Sequence, residues 1–126
     1  MITHRLRIED RIVGYERVEG KSKFYSKDFY WWNGAPIEYS LRDRFTDLKD
    51  KNNRAIFEND IIRLKFSNPF RKDRQCRVRS LKDTFELIDI ESGQKDTLDL
   101  IDKVKTIEFV SFTFINLDLI FNTSKS

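Results

Sequence analysis

The chain has 126 residues, including eleven Phe, four Tyr and two Trp, and a formal net charge of +3, the size of one domain, expected over residues 1–126, with one aromatic core. The single cysteine, Cys76, excludes an internal disulfide and a multi-cysteine metal site within one chain. No apolar run has the length of a signal segment or a membrane span, so the expectation is a cytoplasmic protein without a membrane partner.

The charge is unevenly spread, at +1 over residues 1–62, +7 over 63–82 and −5 over 83–126. A basic middle beside an acidic end either neutralises within the fold or presents opposite faces. Aromatic richness and scarce Ala favour strands over a helical bundle.

At the N-terminus, Ile2, His4, Leu6 and Ile8 alternate with Thr3, Arg5, Arg7 and Glu9, which predicts a half-buried strand with the first set inward. His4 shares the inward phase. A lone histidine without a second histidine or a nearby cysteine reads as a packed strand-end residue, since imidazole needs a partner to do chemistry. A second short strand is expected over 11–15, followed by a polar loop over 19–22. Asn33-Gly34 accepts the positive φ of a type I′ turn and predicts a hairpin from about Asp28 to Leu41. In a strand, Phe29 and Trp31 would point one way and Tyr30 and Trp32 the other. Tyr30 and Trp32 are therefore the candidate interaction aromatics, for a nucleobase, a protein partner or a second copy of the chain.

From Arg44 to Leu64 the chain reads as a short extended segment, a polar turn, a few apolar residues, a second turn and a strand. Phe45, Leu48, Ile56, Phe57, Ile61, Ile62 and Leu64 are its residues able to bury. Asp47, Asn53 and Asn59 fall where the chain must reverse, and Asn and Asp tolerate the left-handed region best after Gly.

The order Phe-Thr-x-Leu-Lys-Asp-Lys-Asn-x-x-x-Ile-Phe-Glu-x-Asp-Ile-Ile, from Phe45 to Ile62, resembles the signature of the YopX family, small proteins of phages and prophages. That family carries glycine at the positions of Asp47, Asn53 and Asn59, and all three replacements remain able to adopt positive φ. The segment Phe109-Val110-Ser111-Phe112-Thr113-Phe114-Ile115-Asn116-Leu117-Asp118-Leu119-Ile120 is similar to the family's closing strand, with Ser111, Phe112 and Leu117 in place of Gly, Asn and Pro. The resemblance implies a fold and carries no established activity.

Beyond Leu64, Ser67 to Pro69 is a turn signal, and Arg77-Val78-Arg79 reads as an edge or surface strand. Thr84 to Leu87 alternates, and the phase shift at Ile88-Asp89-Ile90 marks a bulge or a strand end. Asp96 to Lys105 is the credible helix, capped by Asp96 or Thr97, with a strand over Leu98 to Ile101 as the alternative. From Thr106 the apolar phase changes twice, as in a strand buried on both faces with a bend near Ile115. The last five residues, 122–126, read as frayed.

The fold expected is mainly β: a small, partly open SH3-like barrel of antiparallel strands with one short helix. No catalytic, cofactor or metal residue is assigned, and an enzyme is not expected. Cys76 reads as a small strand residue whose neighbouring arginines could lower its pKa. Asp43, Asp47, Asp50 and Asp60 read as solvated turn and strand-end carboxylates, without the spacing of a calcium loop. The candidate nucleic-acid-binding residues are Arg63, Lys65, Arg71, Lys72, Arg74, Arg77 and Arg79, joined by Lys82 and interleaved with Phe66 and Phe70, a composition suited to tracking phosphates and stacking bases. The competing reading is a solvated segment whose arginines pair with the acidic third.

Overall fold

The structure, a computed structural model, describes residues 1–115, in which strands dominate and a single short helix interrupts them. The chain forms two compact units, Met1–Phe45 and Thr46–Ser126. The mainly β fold with one short helix is as expected, and the strands form two antiparallel sheets with no closed barrel among the described residues.

The first unit contains β1 (Ile2–Ile8), β2 (Arg11–Glu19), β3 (Ser22–Ser26) and the start of β4 (Leu41–Lys49), in the order β3-β2-β1-β4. Glu9 with φ 56 and Gly20 with φ 60 make the two tight turns. In β1 the expected inward phase is overturned: Thr3, Arg5 and Arg7 are buried, as is Leu6, whereas Ile2 is exposed. The cause lies directly opposite. Asp43 pairs in register with Arg5, and its Oδ2 accepts from Arg5 Nε at 2.9 Å and Arg7 Nε at 2.7 Å, while Oδ1 accepts from Arg7 Nη2 at 2.9 Å. Breaking such a buried pair costs about 3–5 kcal/mol, because a charge is left without compensation.

Around that pair, edge-to-face contacts join Phe29 to Tyr15, Phe45 and Trp32. In alternation with Arg5, buried Glu16 accepts from Tyr25 Oη at 3.0 Å and from Arg42 Nη1 at 3.3 Å. Gly14 is required by close approach, since a Cβ there would lie 2.5 Å from Ile37 Cδ1 and 2.8 Å from the Ser26 carbonyl oxygen.

No hairpin forms between Asp28 and Leu41. The Asp28 carboxylate accepts the amides of Tyr30 and Trp31, and Ser26 Oγ accepts that of Phe29, so the chain turns before a ladder can start. Asn33 makes one isolated bridge to Tyr25, and its side chain accepts the Ala35 amide. Gly34 does not take the positive φ that a type I′ turn requires.

The second unit holds the end of β4, β5 (Ala55–Phe57) beside it, and a sheet of β6 (Asp60–Phe66), β7 (Arg74–Ser80), β8 (Phe85–Asp89), β9 (Lys95–Thr97) and β10 (Val104–Phe112), ordered β10-β6-β7-β8-β9. Asp47, Asn53 and Asn59 all lie in the left-handed region, at φ 66, 66 and 70. Just before Asp47, the Thr46 hydroxyl donates to the Ile56 carbonyl at 2.7 Å and accepts the Leu48 amide. Asp50 accepts the amides of Asn52, Arg54 and Phe109, while Asp60 accepts that of Phe57. Burial alone would raise the Asp50 carboxyl, but the amides of Arg54, Phe109 and Asn52 outweigh it and hold it below its ordinary value. Asp43, Asp50 and Asp60 are buried, which corrects the expectation of solvated carboxylates; only Asp47 of the four is exposed.

Alternation aims Ile62, Leu64 and Phe66 of β6, Cys76 and Val78 of β7, and Phe85 and Leu87 of β8 into one core with Ile56 and Leu100. β7 is a central strand rather than an edge, paired on both sides. β8 ends at Asp89, whose carboxylate accepts the amides of Glu91 and Ser92 in a turn completed by Gly93 at φ 75. The expected helix is a six-residue 3-10 helix, Leu98–Lys103, capped by the Thr97 hydroxyl. β9 takes Lys95–Thr97 and β10 begins at Val104, so pairing claims both ends of the helical pattern. Among the described residues β10 is an edge strand, and it is not buried on both faces: the phase change at Phe109-Val110 coincides with a register shift between Phe109 and Ser111, where an extra residue flips the alternation, while the change at Phe114-Ile115 lies beyond the end of the strand. The chain end expected to fray over 122–126, and the closing segment beyond Ile115, lie outside the described residues.

The left-handed turn at Asn53 gives a direct test. Asn53→Gly should hold or raise stability, and Asn53→Val should lower it by about 1–2 kcal/mol, the cost of left-handed backbone for a side chain without local hydrogen bonding. Urea unfolding measures both, and equal effects would contradict the assignment.

Candidate nucleic-acid interface

Alternation along β6 and β7 places Arg63, Lys65, Arg77 and Arg79 on the side of the sheet opposite the core, with Cys76 and Val78 turned inward. The register sets Arg77 between Ile61 of β6 and Ile88 of β8, and Arg79 opposite Glu86. Arg79 forms an ion pair with Glu86, and Arg63 lies 3.7 Å from Glu108, which Lys51 also contacts at 3.0 Å. The Lys51 ammonium holds the Glu108 carboxyl below its usual range.

Arg74 is withdrawn from any interface. Its Nε donates to Asp89 Oδ2 at 2.7 Å and its Nη2 to Asp96 Oδ2 at 3.0 Å, tying β7 to β8 and β9. Burial would raise the Asp89 carboxyl; the Arg74 hydrogen bond and the Ser92 and Glu91 amides outweigh it and leave it depressed. The arginines of the basic stretch thus divide. Arg63, Arg74 and Arg79 pair with the acidic third, whereas Lys65, Lys72 and Arg77 make no ion pair among the described residues.

The connection from β6 to β7 presents the remaining cations. The Ser67 amide donates to the Lys103 carbonyl at 3.0 Å, and the Arg71 amide to the Asn68 carbonyl at 3.1 Å. Asn68 Oδ1 accepts the Phe70 amide at 3.0 Å, and Pro69 presets its own φ at the corner. Phe70 is left 94% exposed, and Arg71 lies over the buried Phe66 ring, 3.9 Å from its centroid. Exposed Lys65, Lys72 and Lys103 flank this turn, with Asp73 as its one acidic residue. Lys103 and the nearby Lys105 come from the acidic third and escaped a reading by segment charge.

Cys76 is fully buried, and that burial pushes its thiol up to about 11 against the opposing pull of Arg74, the reverse of the lowering expected from its neighbours. His4 is half-buried; its burial and the charge of Arg42 push its pKa down, and its Nδ1 has no hydrogen-bond partner among the described residues.

The aromatic pair in the first unit differs from the one expected. Tyr30 is 85% exposed, but its exposed neighbour is Trp31 at 81%. Trp32 is half-buried beneath the Arg17 guanidinium, 4.1 Å from its ring centroid. Consecutive residues share this exposure because they stand on a turn and not in a strand. Trp31, Tyr25, Asp28, Pro36 and Ile37 help line a cleft of about 490 Å³. Among the described residues no helix is long and apolar enough to cross a membrane. No family model, no curated protein and no solved structure matches the chain.

Proposed function

We propose that this chain is a non-enzymatic accessory protein of phage or prophage type, related to the YopX family, that acts in the cytoplasm and binds nucleic acid weakly and without sequence preference. The observation that carries the reading is the cation set Lys65, Lys72 and Arg77, which makes no ion pair among the described residues and is spread from the outer sheet face to the turn that exposes Phe70. Such a set neutralises phosphates without reading base edges, which gives affinity without specificity. The family relationship is supported by positive φ at Asp47, Asn53 and Asn59, the positions where the family has glycine.

Affinity for a labelled oligonucleotide, followed by fluorescence anisotropy over a salt series, should fall linearly in log–log form. Three or four phosphate contacts give a slope of about −2 to −3. Lys65→Glu, Lys72→Glu and Arg77→Glu together should abolish binding. No binding at the lowest salt would sink the reading.

A second reading, a protein-interaction or self-association module, is favoured by one observation. Phe29 holds φ 73, a costly conformation for a bulky residue, with its ring fixed among Tyr15, Trp32 and Phe45, while Tyr30 and Trp31 project into solvent. Sedimentation over a concentration series should then show self-association that Trp31→Ala removes. A monomer at every concentration counts against this reading as a self-association module.

A further inference from the structure

We infer that the interface takes single-stranded in preference to duplex nucleic acid, with Phe70 as the stacking platform for an unpaired base; this deepens the nucleic-acid reading and rests on it. Covering an exposed apolar ring removes its surface from water, and Phe70 is the most exposed large hydrophobic side chain among the described residues, at 94%. It is also held in place. Asn68 bonds both the Phe70 and Arg71 amides, Pro69 fixes the corner, and the Ser67 amide anchors the turn to Lys103, so little freedom remains to be lost when a base covers the ring.

Its surroundings select the chemistry of the occupant. Lys72 is exposed two residues along the turn, Lys103 is exposed where its carbonyl accepts the Ser67 amide, Lys65 is exposed near the end of β6, and the Arg71 guanidinium lies over the Phe66 ring, 3.9 Å from its centroid. A base on the ring therefore brings its flanking phosphates among cations, the arrangement that sequence-tolerant single-strand binders use. A duplex offers the same phosphates but keeps its bases stacked on one another. A single aromatic ring is a small anchor for an apolar protein surface or a lipid layer, and Lys65 and Arg77, which make no ion pair among the described residues, carry positive charge from the turn onto β6 and β7.

The test compares a labelled thymidine oligomer with a duplex of equal length, using the full chain and the Phe70→Ala and Phe70→Trp variants, with anionic lipid vesicles as a further probe. The wild type should bind the single strand more tightly. Phe70→Ala should weaken single-strand binding by about tenfold, the range of one base–aromatic stack, and leave duplex binding and both salt slopes unchanged. Phe70→Trp should retain the preference. Equal affinity for both forms, or no effect of Phe70→Ala while binding persists, overturns the single-strand inference and leaves the broader reading standing. Absence of binding to either form overturns both, and retention on vesicles alone assigns the turn to a membrane surface instead.

Discussion

Chain reversal between β4 and β6 depends on left-handed backbone at Asn53 and Asn59, together with carboxylates that satisfy the amides those reversals turn inward, whereas Asp47 takes the same backbone within β4 and does not reverse the chain. A buried amide without a partner costs about 1–3 kcal/mol, so each reversal needs an acceptor in place. Asp60 supplies one at the β5–β6 turn. Asp50 supplies its own loop and also reaches the Phe109 amide, so the loop seals part of the free edge of β10. The Asn59 amide donates to Val78 and its carbonyl accepts from Thr113, which ties the same turn to β7 and to the segment after β10.

From this scaffold the division of cations follows. A sheet whose inner face is filled by Ile62, Leu64, Phe66, Cys76, Val78 and Leu87 must send alternate residues of β6 and β7 to its other face, and in this chain Arg63, Lys65, Arg77 and Arg79 are among them, beside Ile61 and Gln75. Where strand pairing brings a carboxylate within reach, as for Arg79 with Glu86 or Arg63 with Glu108, the charge is absorbed. Where the register offers apolar Ile61 and Ile88 instead, as for Arg77, the charge remains available. In the turn from β6 to β7, Lys72 makes no ion pair among the described residues, and the same turn carries the exposed ring of Phe70.

Much of the second unit was legible because its reversals depend on local chemistry. Asn and Asp at 47, 53 and 59 announced left-handed backbone, and Asn68-Pro69 announced the turn that exposes Phe70. Long-range pairing was not legible. Arg5 and Arg7 look solvent-facing until β4 brings Asp43 opposite them, and Arg74 looks available until β8 and β9 supply Asp89 and Asp96. Asn33-Gly34 gave a strong hairpin signal, but the carboxylate of Asp28 had already turned the chain. The phase change at Phe109-Val110 was read as burial on both faces because a β-bulge and a buried strand leave the same trace in a sequence.

The claim that the basic stretch divides into internal staples and an outward binding set is tested most directly by chemical footprinting. Lysines and arginines of the native protein would be modified with and without a single-stranded oligonucleotide at low salt, and the modified sites read by mass spectrometry. The account predicts that Lys65, Lys72 and Arg77 react in the free protein and are protected by the oligonucleotide, while Arg74 stays unreactive in both. Ready modification of Arg74, or unchanged reactivity of the other three when the oligonucleotide is bound, would contradict it.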